Sequence, residues 1–333
     1  MQNDNRFPKT AKPYSLHIDA QDLQLATEEE KQQLFIMRES VTYWKDAWRR
    51  FRRNKVAVFS LILVCLITLF AFAGPLFSEF SYDQQLRGEE RQGPSWRHPF
   101  GTDNLGRDML VRSMVGSRIS LSIGFFCTLI VVFIGTLYGA FSGYKGGIVD
   151  NIMMRYIEIL YSIPDVLVVI ILQIALKEPL SSMFPKSVLG ASLISIFITF
   201  ALLYWVNMAR MVRGQMLVLK EMEYVTAARA LGAKGWHIIR RHLIPNSIGV
   251  ILVTAMLQIP LAIFMESFLS FIGLGVSAPM ASLGSLCSQA LGGITSYPYL
   301  LFFPAGLISL IILGFNLVGD GLRDALDPRL RSR

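Results

Sequence analysis

Long apolar runs joined by shorter polar connections dominate this 333-residue chain. Six runs reach or exceed the roughly 20 residues that a helix needs to cross bilayer hydrocarbon. They lie at about 56–77, 117–141, 151–176, 188–208, 247–275 and 298–318. None shows the period-two alternation of a membrane β-barrel strand, and a spanning backbone must satisfy its own hydrogen bonds, so all six are predicted as helices. The predicted fold class is an all-α membrane protein with six transmembrane helices.

Around the spans the pattern predicts four regions: a polar extension over 1–40, an amphipathic helix over 41–55, the spans over 56–319 with long connections at 78–116 and 209–246, and a tail over 320–333. In the stretch from Tyr43 to Phe51, the side chains of Trp44, Trp48 and Phe51 share one helical face and Lys45, Arg49 and Arg50 fill the other. That arrangement predicts a helix lying along the inner membrane surface with its aromatics at headgroup depth. The alternative is a soluble cap against the bundle. Residues 1–54 are polar and mixed in charge, so no signal peptide is expected.

Composition agrees with the pattern. The chain is 53% hydrophobic and only 17% charged, against about 25% charged in a typical soluble domain. Its net charge of +8 sits beside the apolar runs. Lys45 to Lys55 precede the first span, Arg210 to Arg241 separate spans four and five, and Arg323 to Arg333 follow span six, while the connection 276–297 carries no charge. Six spans with both termini in the cytoplasm place all three basic groups inside. No basic stripe with interleaved aromatics runs through a soluble region, so nucleic acid is not an expected partner. Cys65, Cys127 and Cys287 form no CxxC, and the four histidines have no ligand spacing, so neither disulfide nor metal is expected.

Polar residues recur inside the spans. Glu158, Ser162, Asp165 and Gln173 fall along one face of span three beside Pro164. Thr254, Gln258, Glu266 and Ser270 form a second stripe around Pro260, and Ser192, Ser195 and Thr199 lie on span four. Acids in hydrocarbon cost about 2.5–3.5 kcal/mol on insertion scales and seldom face lipid. Asp165, Gln258 and Glu266 are therefore candidates for a translocation path; the competing account is interhelical hydrogen bonding that only holds the bundle. Glu158 lies near the cytoplasmic end, where Arg155 is its expected partner.

The connection 209–246 carries the most specific signal. A strong helix former runs from Met222 through Ala233, with Gly232 placed to take the left-handed conformation that ends it. A second short helix over about 236–243 is expected to stop at Pro245. Ala227, Ala228 and Ala230 would let a partner approach the first helix closely, which suits docking into a groove.

The segment resembles the cytoplasmic loop of bacterial ABC importer permeases, whose pattern runs Glu-Ala-Ala, three residues, Gly, nine residues, Ile, one residue, Leu-Pro. Thr226-Ala227-Ala228, Gly232, His242, Ile244 and Pro245 hold those positions; Thr226, His242 and Ile244 depart from the pattern. The fuller run from Tyr224 to Ala233, with Arg241 to Asn246, looks like the peptide branch. His98 to Asp108 resembles the external motif of C-type oligopeptide and dipeptide permeases, Phe315 to Pro328 their C-terminal signature, and Glu266 to Gly275 leans to the oligopeptide type. On residues alone, Gly101 to Asp108 also reads as a turn with Thr102 or Asp103 capping a helix.

The resemblance implies a type I importer bundle and a non-catalytic subunit that couples to an ATPase through Glu223, Tyr224, Thr226, Ala227, Ala228, Gly232 and Pro245. It implies a second homologous permease subunit, two ABC ATPase subunits that bind ATP and magnesium, an external peptide-binding protein and a peptide substrate. No GxxxxGK[ST] loop occurs in the chain, so no nucleotide cradle of that kind is expected in it. Nickel and antimicrobial-peptide permeases share these motifs. Outside the family, a proton-coupled transporter using Asp165 or Glu266 and a non-transporting scaffold remain the alternatives.

Overall fold

A computed structural model describes residues 42–183, 190–276 and 280–326. The chain divides into a first unit ending at Asp46, described only from residue 42, and a second unit from Ala47 onward that holds the bundle. The polar extension over 1–40 lies outside the described residues. Six helical stretches are long and apolar enough to cross a membrane: Lys55–Phe72, Met109–Lys145, Asp165–Met183, Gly190–Leu219, Gly235–Phe271 and Tyr299–Leu326. The helical, six-span reading therefore holds, with no strand among the described residues.

The helices are α1 (Tyr43–Arg53), α2 (Lys55–Phe72), α3 (Met109–Lys145), α4 (Gly147–Tyr161), α5 (Asp165–Met183), α6 (Gly190–Leu203) and α7 (Trp205–Leu219). They continue with α8 (Glu223–Ala230), α9 (Gly235–Ile238), α10 (Ile244–Phe271), α11 (Leu283–Ala290) and α12 (Tyr299–Leu326). A π-helical turn, Ile239–Leu243, joins α9 to α10.

Three boundaries differ from the sequence expectation. The run 151–176 is not one span. The helix stops at Tyr161 and restarts at Asp165, because Pro164 has no N–H to continue the ladder. Glu158 and Asp165 therefore sit on different helices, and the single polar stripe is broken. The expected stop at Pro245 is absent. The π turn shifts the bonding pattern, and Pro245 enters α10 in its first turn, where a missing donor costs nothing. At the C-terminal end α12 continues to Leu326; Asp327 and Pro328 lie outside the described residues.

The long helix α3 organises the bundle. Its glycines at 135, 139 and 143 form one stripe, four residues apart, that lets α7 approach to backbone contact. A Cβ at Gly139 would stand 2.3 Å from the Ala209 carbonyl oxygen, and one at Gly143 would stand 2.8 Å from that of Arg213. Further along α3, Ile123, Cys127 and Val131 are buried in the main apolar cluster with Met208 and Val212 of α7 and Ala262 of α10. Between α5 and α6 polar groups do the joining. Ser195 Oγ donates to Gln173 Oε1 at 2.6 Å, and Gln173 Nε2 donates to Thr199 Oγ1 at 3.2 Å. Those members of the predicted stripes bond to one another.

In α1 the aromatic face is divided. Phe51 is buried in a cluster with Ala57, Val318 and Ala325, as expected of a cap. Trp48 is half exposed, stacked on Phe51 at 5.8 Å and covered by the Arg52 guanidinium at 5.0 Å.

Candidate functional site

The two ends of α3 define two polar regions. Near its C-terminal end the chain leaves α7 and turns into α8. Lys220 Nζ donates to the Gly143 carbonyl at 3.2 Å, and the backbone of Met222 is extended, which sets α8 off in a new direction. Within α8 only Val225 is buried; it is fully enclosed by the main cluster, with Ala228 half-buried beside it. The helix ends in a Schellman motif. Gly232 has φ +81°, its N–H donates to the Arg229 carbonyl at 2.9 Å, and the Ala233 N–H donates to that of Ala228 at 3.0 Å. The left-handed glycine expected from sequence is therefore present.

The Arg229 guanidinium covers the Tyr144 ring at 5.4 Å, and that ring packs on Gly235. Asn246 Nδ2 donates to the His242 carbonyl at 2.7 Å and reaches the Tyr224 hydroxyl at 3.4 Å. The face of α8 away from Val225 is free. Glu223, Tyr224, Thr226 and Ala227 are exposed, and Leu231 is 88% exposed. The structure thus gathers Glu223, Tyr224, Thr226, Ala227 and Ala228 on one short anchored helix, with Gly232 in the turn that ends it. It leaves Pro245, itself exposed, at the start of α10 next to the Asn246 link.

A clamp that sequence reading did not single out lies where α3, α4 and α7 meet. Asp150, near the start of α4, accepts from Arg213 Nε at 2.6 Å and Nη2 at 2.5 Å, and from Ser142 Oγ at 2.5 Å. The bidentate guanidinium holds the Asp150 carboxyl below the usual carboxylate range, against the upward push of burial. It ties α3, α4 and α7 together. Nearby, Arg155 and Glu158 pair at 2.9 Å as expected, fully in the open.

The three path candidates do not converge. Asp165 is exposed at the first residue of α5, where its Oδ1 caps the Val166 N–H at 2.9 Å and the Tyr204 hydroxyl lies 3.5 Å from Oδ2. Glu266 is fully buried, its oxygens accepting from Ser120 and Ser270 hydroxyls at 2.7 Å each. Gln258 is buried, with no partner for Nε2 among the described residues.

At the N-terminal end of α3, the motif from His98 to Asp108 folds into a bonded turn. Its cap is Asp108, not Thr102 or Asp103: Asp108 Oδ1 accepts from the Val111 N–H at 2.9 Å. Thr102 Oγ1 instead donates to the Glu89 carbonyl. Asp103 accepts from the N–H groups of Leu105 and Arg107, from Arg107 Nε at 2.7 Å and from the buried Arg112 guanidinium. His98 lies between Asp108 at 2.7 Å and Glu89 at 3.0 Å.

A bundle of six spans with a short anchored helix at one end and a bonded polar turn at the other defines a multi-pass membrane protein. The family model described as binding-protein-dependent transport system inner membrane component matches residues 135–332, and that of the N-terminal TM domain of oligopeptide transport permease C matches 42–94. The chain belongs to this inner-membrane permease family. It is 48% identical to the oligopeptide transport system permease protein OppC of Bacillus subtilis (strain 168) over 296 residues, covering 89% of this chain and 93% of the relative. It is 46% identical to the dipeptide transport system permease protein DppC of the same organism over 297 residues, 89% of each chain. Against OppC of Escherichia coli (strain K12) it is 44% identical over 295 residues, 88% of this chain and 93% of the relative. A solved chain of the MetNI methionine ABC transporter aligns at TM-score 0.42 and 19% identity, over 63% of this chain and 97% of its own.

Proposed function

We propose that this chain is the membrane-spanning permease subunit of an ATP-driven importer for peptides, with ATP hydrolysis in separate subunits that grip α8. The observation that carries the reading is the construction of α8. One fully buried valine and a glycine-based stop hold it in place, while its small residues and Leu231 face outward. A helix held on one side and bare on the other is suited to a groove on a partner.

The end that carries α8 is the cytoplasmic one in this reading, because the basic residues from Arg210 to Arg241 gather there. ATP and magnesium belong to two ATPase partners. A second homologous permease completes the path, and an external binding protein delivers cargo. ATP binding draws the ATPases together; α8 passes that movement through the Asp150–Arg213 clamp to α3, α4 and α7. The exposed Trp48 and Arg52 of α1 rest at the inner headgroups. Peptide cargo rests on the relatives, which are oligopeptide and dipeptide permeases. In the path, exposed Asp165 is the candidate that a cavity between two permeases can reach, while Glu266 ties α10 to Ser120 of α3.

The test is uptake by the assembled transporter in proteoliposomes with Ala228 and Gly232 both replaced by bulky residues. A left-handed residue with a β-branched side chain is strained by about 1–3 kcal/mol, enough to unwind the end of α8. The double variant is expected to insert normally and to lose ATP-driven uptake. Normal uptake would remove α8 from the coupling role.

A further inference from the structure

At the end of the bundle opposite α8, a cleft of about 460 Å³ opens between the turn at 103–109, the start of α3, α11 and the start of α12. Asp103, Arg107 and Arg112 form its charged wall, and Leu286 and Leu300 its apolar wall. That volume is in the range of small-ligand sites, roughly 300–1,000 Å³.

The charges in this wall do not balance. Both oxygens of Asp103 are already taken, by two backbone N–H groups and two guanidinium groups. Arg112 is 2% exposed; it bonds Asp103 and, through Nη2, Gln289 Oε1 at 3.0 Å, and its Nε has no partner among the described residues. Arg107 meets Asp103 through Nε alone. A third guanidinium, Arg91, donates to Asn104 Oδ1 at 2.9 Å on the cleft's exposed edge. The neighbouring carboxylates are turned away: Asp108 and Glu89 hold His98 between them, and Glu89 also holds Arg97 at 2.7 Å. Guanidinium donors therefore outnumber carboxylate acceptors around a half-apolar hollow. A small carboxylate attached to an apolar group completes both walls, since charge-assisted bonds to guanidinium are the strong ones. A protein surface would instead need a flat patch of about 800 Å² per side.

We propose that this cleft receives the C-terminal carboxylate of an incoming peptide, with Arg107 as the guanidinium it meets and Leu286 and Leu300 against its last side chain. The proposal rests on the peptide-cargo reading. In it, the permease senses the free end of the cargo at the outer mouth before the path opens.

The experiment compares uptake of one peptide as the free acid and as the C-terminal amide. It uses the complete transporter in proteoliposomes with saturating binding protein. Arg107→Gln is expected to lower the acid-to-amide uptake ratio about tenfold or more, the worth of one charge-assisted bond. Asn104→Asp keeps the acceptor for Arg91 and adds one negative charge, so it should lower the ratio in the same direction without disturbing the fold. Arg107→Lys, which keeps the charge, should preserve most of the ratio. An unchanged ratio in Arg107→Gln and Asn104→Asp overturns the proposal while leaving peptide cargo intact. An equal fall for acid and amide in Arg107→Gln also overturns it, because the cleft then does not read the free end of the peptide. A wild-type transporter that carries neither peptide refutes the cargo reading, and this proposal with it.

Discussion

The two ends of α3 meet their surroundings in opposite ways. At its N-terminal end His98, Thr102, Asp103, Asp108 and Arg112 are all under 10% exposed, and each is tied by side-chain hydrogen bonds to neighbours in the same chain. At the C-terminal end α8 is eight residues long with a single buried side chain. An isolated helix of that length is not stable in water. It exists because Val225 and the Schellman turn anchor it. The turn before α3 is complete within its own chain apart from an excess of guanidinium over carboxylate. Helix α8 is anchored at its root by Val225 and exposed over most of its remaining surface. On the proposed function, that asymmetry gives a fixed mouth at the cargo end and a lever with a free surface at the motor end.

The largest expected effect lies in the outer turn. Asp103→Ala removes the acceptor of four hydrogen bonds and leaves the buried Arg112 guanidinium without its carboxylate. Breaking one side of a buried charge pair costs about 3–5 kcal/mol. Thermal unfolding of the purified subunit in detergent should show a clear drop in Tm, larger than for any single substitution in α8. A shift as small as that of a surface substitution would mean the turn is not the rigid end.

The Asp150–Arg213 clamp gives an intermediate effect with a defined pH dependence. The folded Asp150 carboxyl titrates below its unfolded value of about 3.9. Its contribution is therefore present above that value and is lost as pH falls through the lower folded one. Asp150→Asn should cost about 1.5–3 kcal/mol at neutral pH, the usual worth of hydrogen bonds to a charged group. It should also flatten the acid side of the stability curve. Equal acid sensitivity in the variant and the parent would show that Arg213 does not hold the carboxylate in solution.

These two regions also mark what the sequence discloses. Six spans are legible because a bilayer demands length and apolarity, both local properties. Gly232 is legible because a helix stop with φ above zero has one common residue. The break at 162–164 was hidden: Pro164 was visible, but apolar residues on both sides gave one continuous run. Pro245 misled in the other direction, since a π turn is a property of the bonded backbone and has no composition signal. The α3–α7 contact could have been found, because Gly135, Gly139 and Gly143 repeat every four residues within a span. The Asp103–Arg112 and Asp150–Arg213 pairs could not. Their partners are nine and 63 residues apart, and pairing at such separations is set by the packed helices. Glu266 was visible as a buried acid, but only the fold shows that hydroxyls from two helices satisfy it.

The smallest effect on stability should come from Leu231, and it is the sharpest test of the comparison. Leu231 is 88% exposed at the C-terminal cap of α8, and no side chain there depends on it for burial. Leu231→Gln should leave unfolding of the isolated subunit within about 0.5 kcal/mol of the parent. In the assembled transporter the outcome should reverse. If a partner groove covers this side chain, removing it forfeits about 1.5–3 kcal/mol of apolar burial, or roughly tenfold or more in association. Titrating the nucleotide-hydrolysing partner onto the subunit in lipid nanodiscs measures this directly. A variant that is both fully stable and fully competent to bind would mean that the bare face of α8 is bare in the assembly too, and that the motor grips the permease elsewhere.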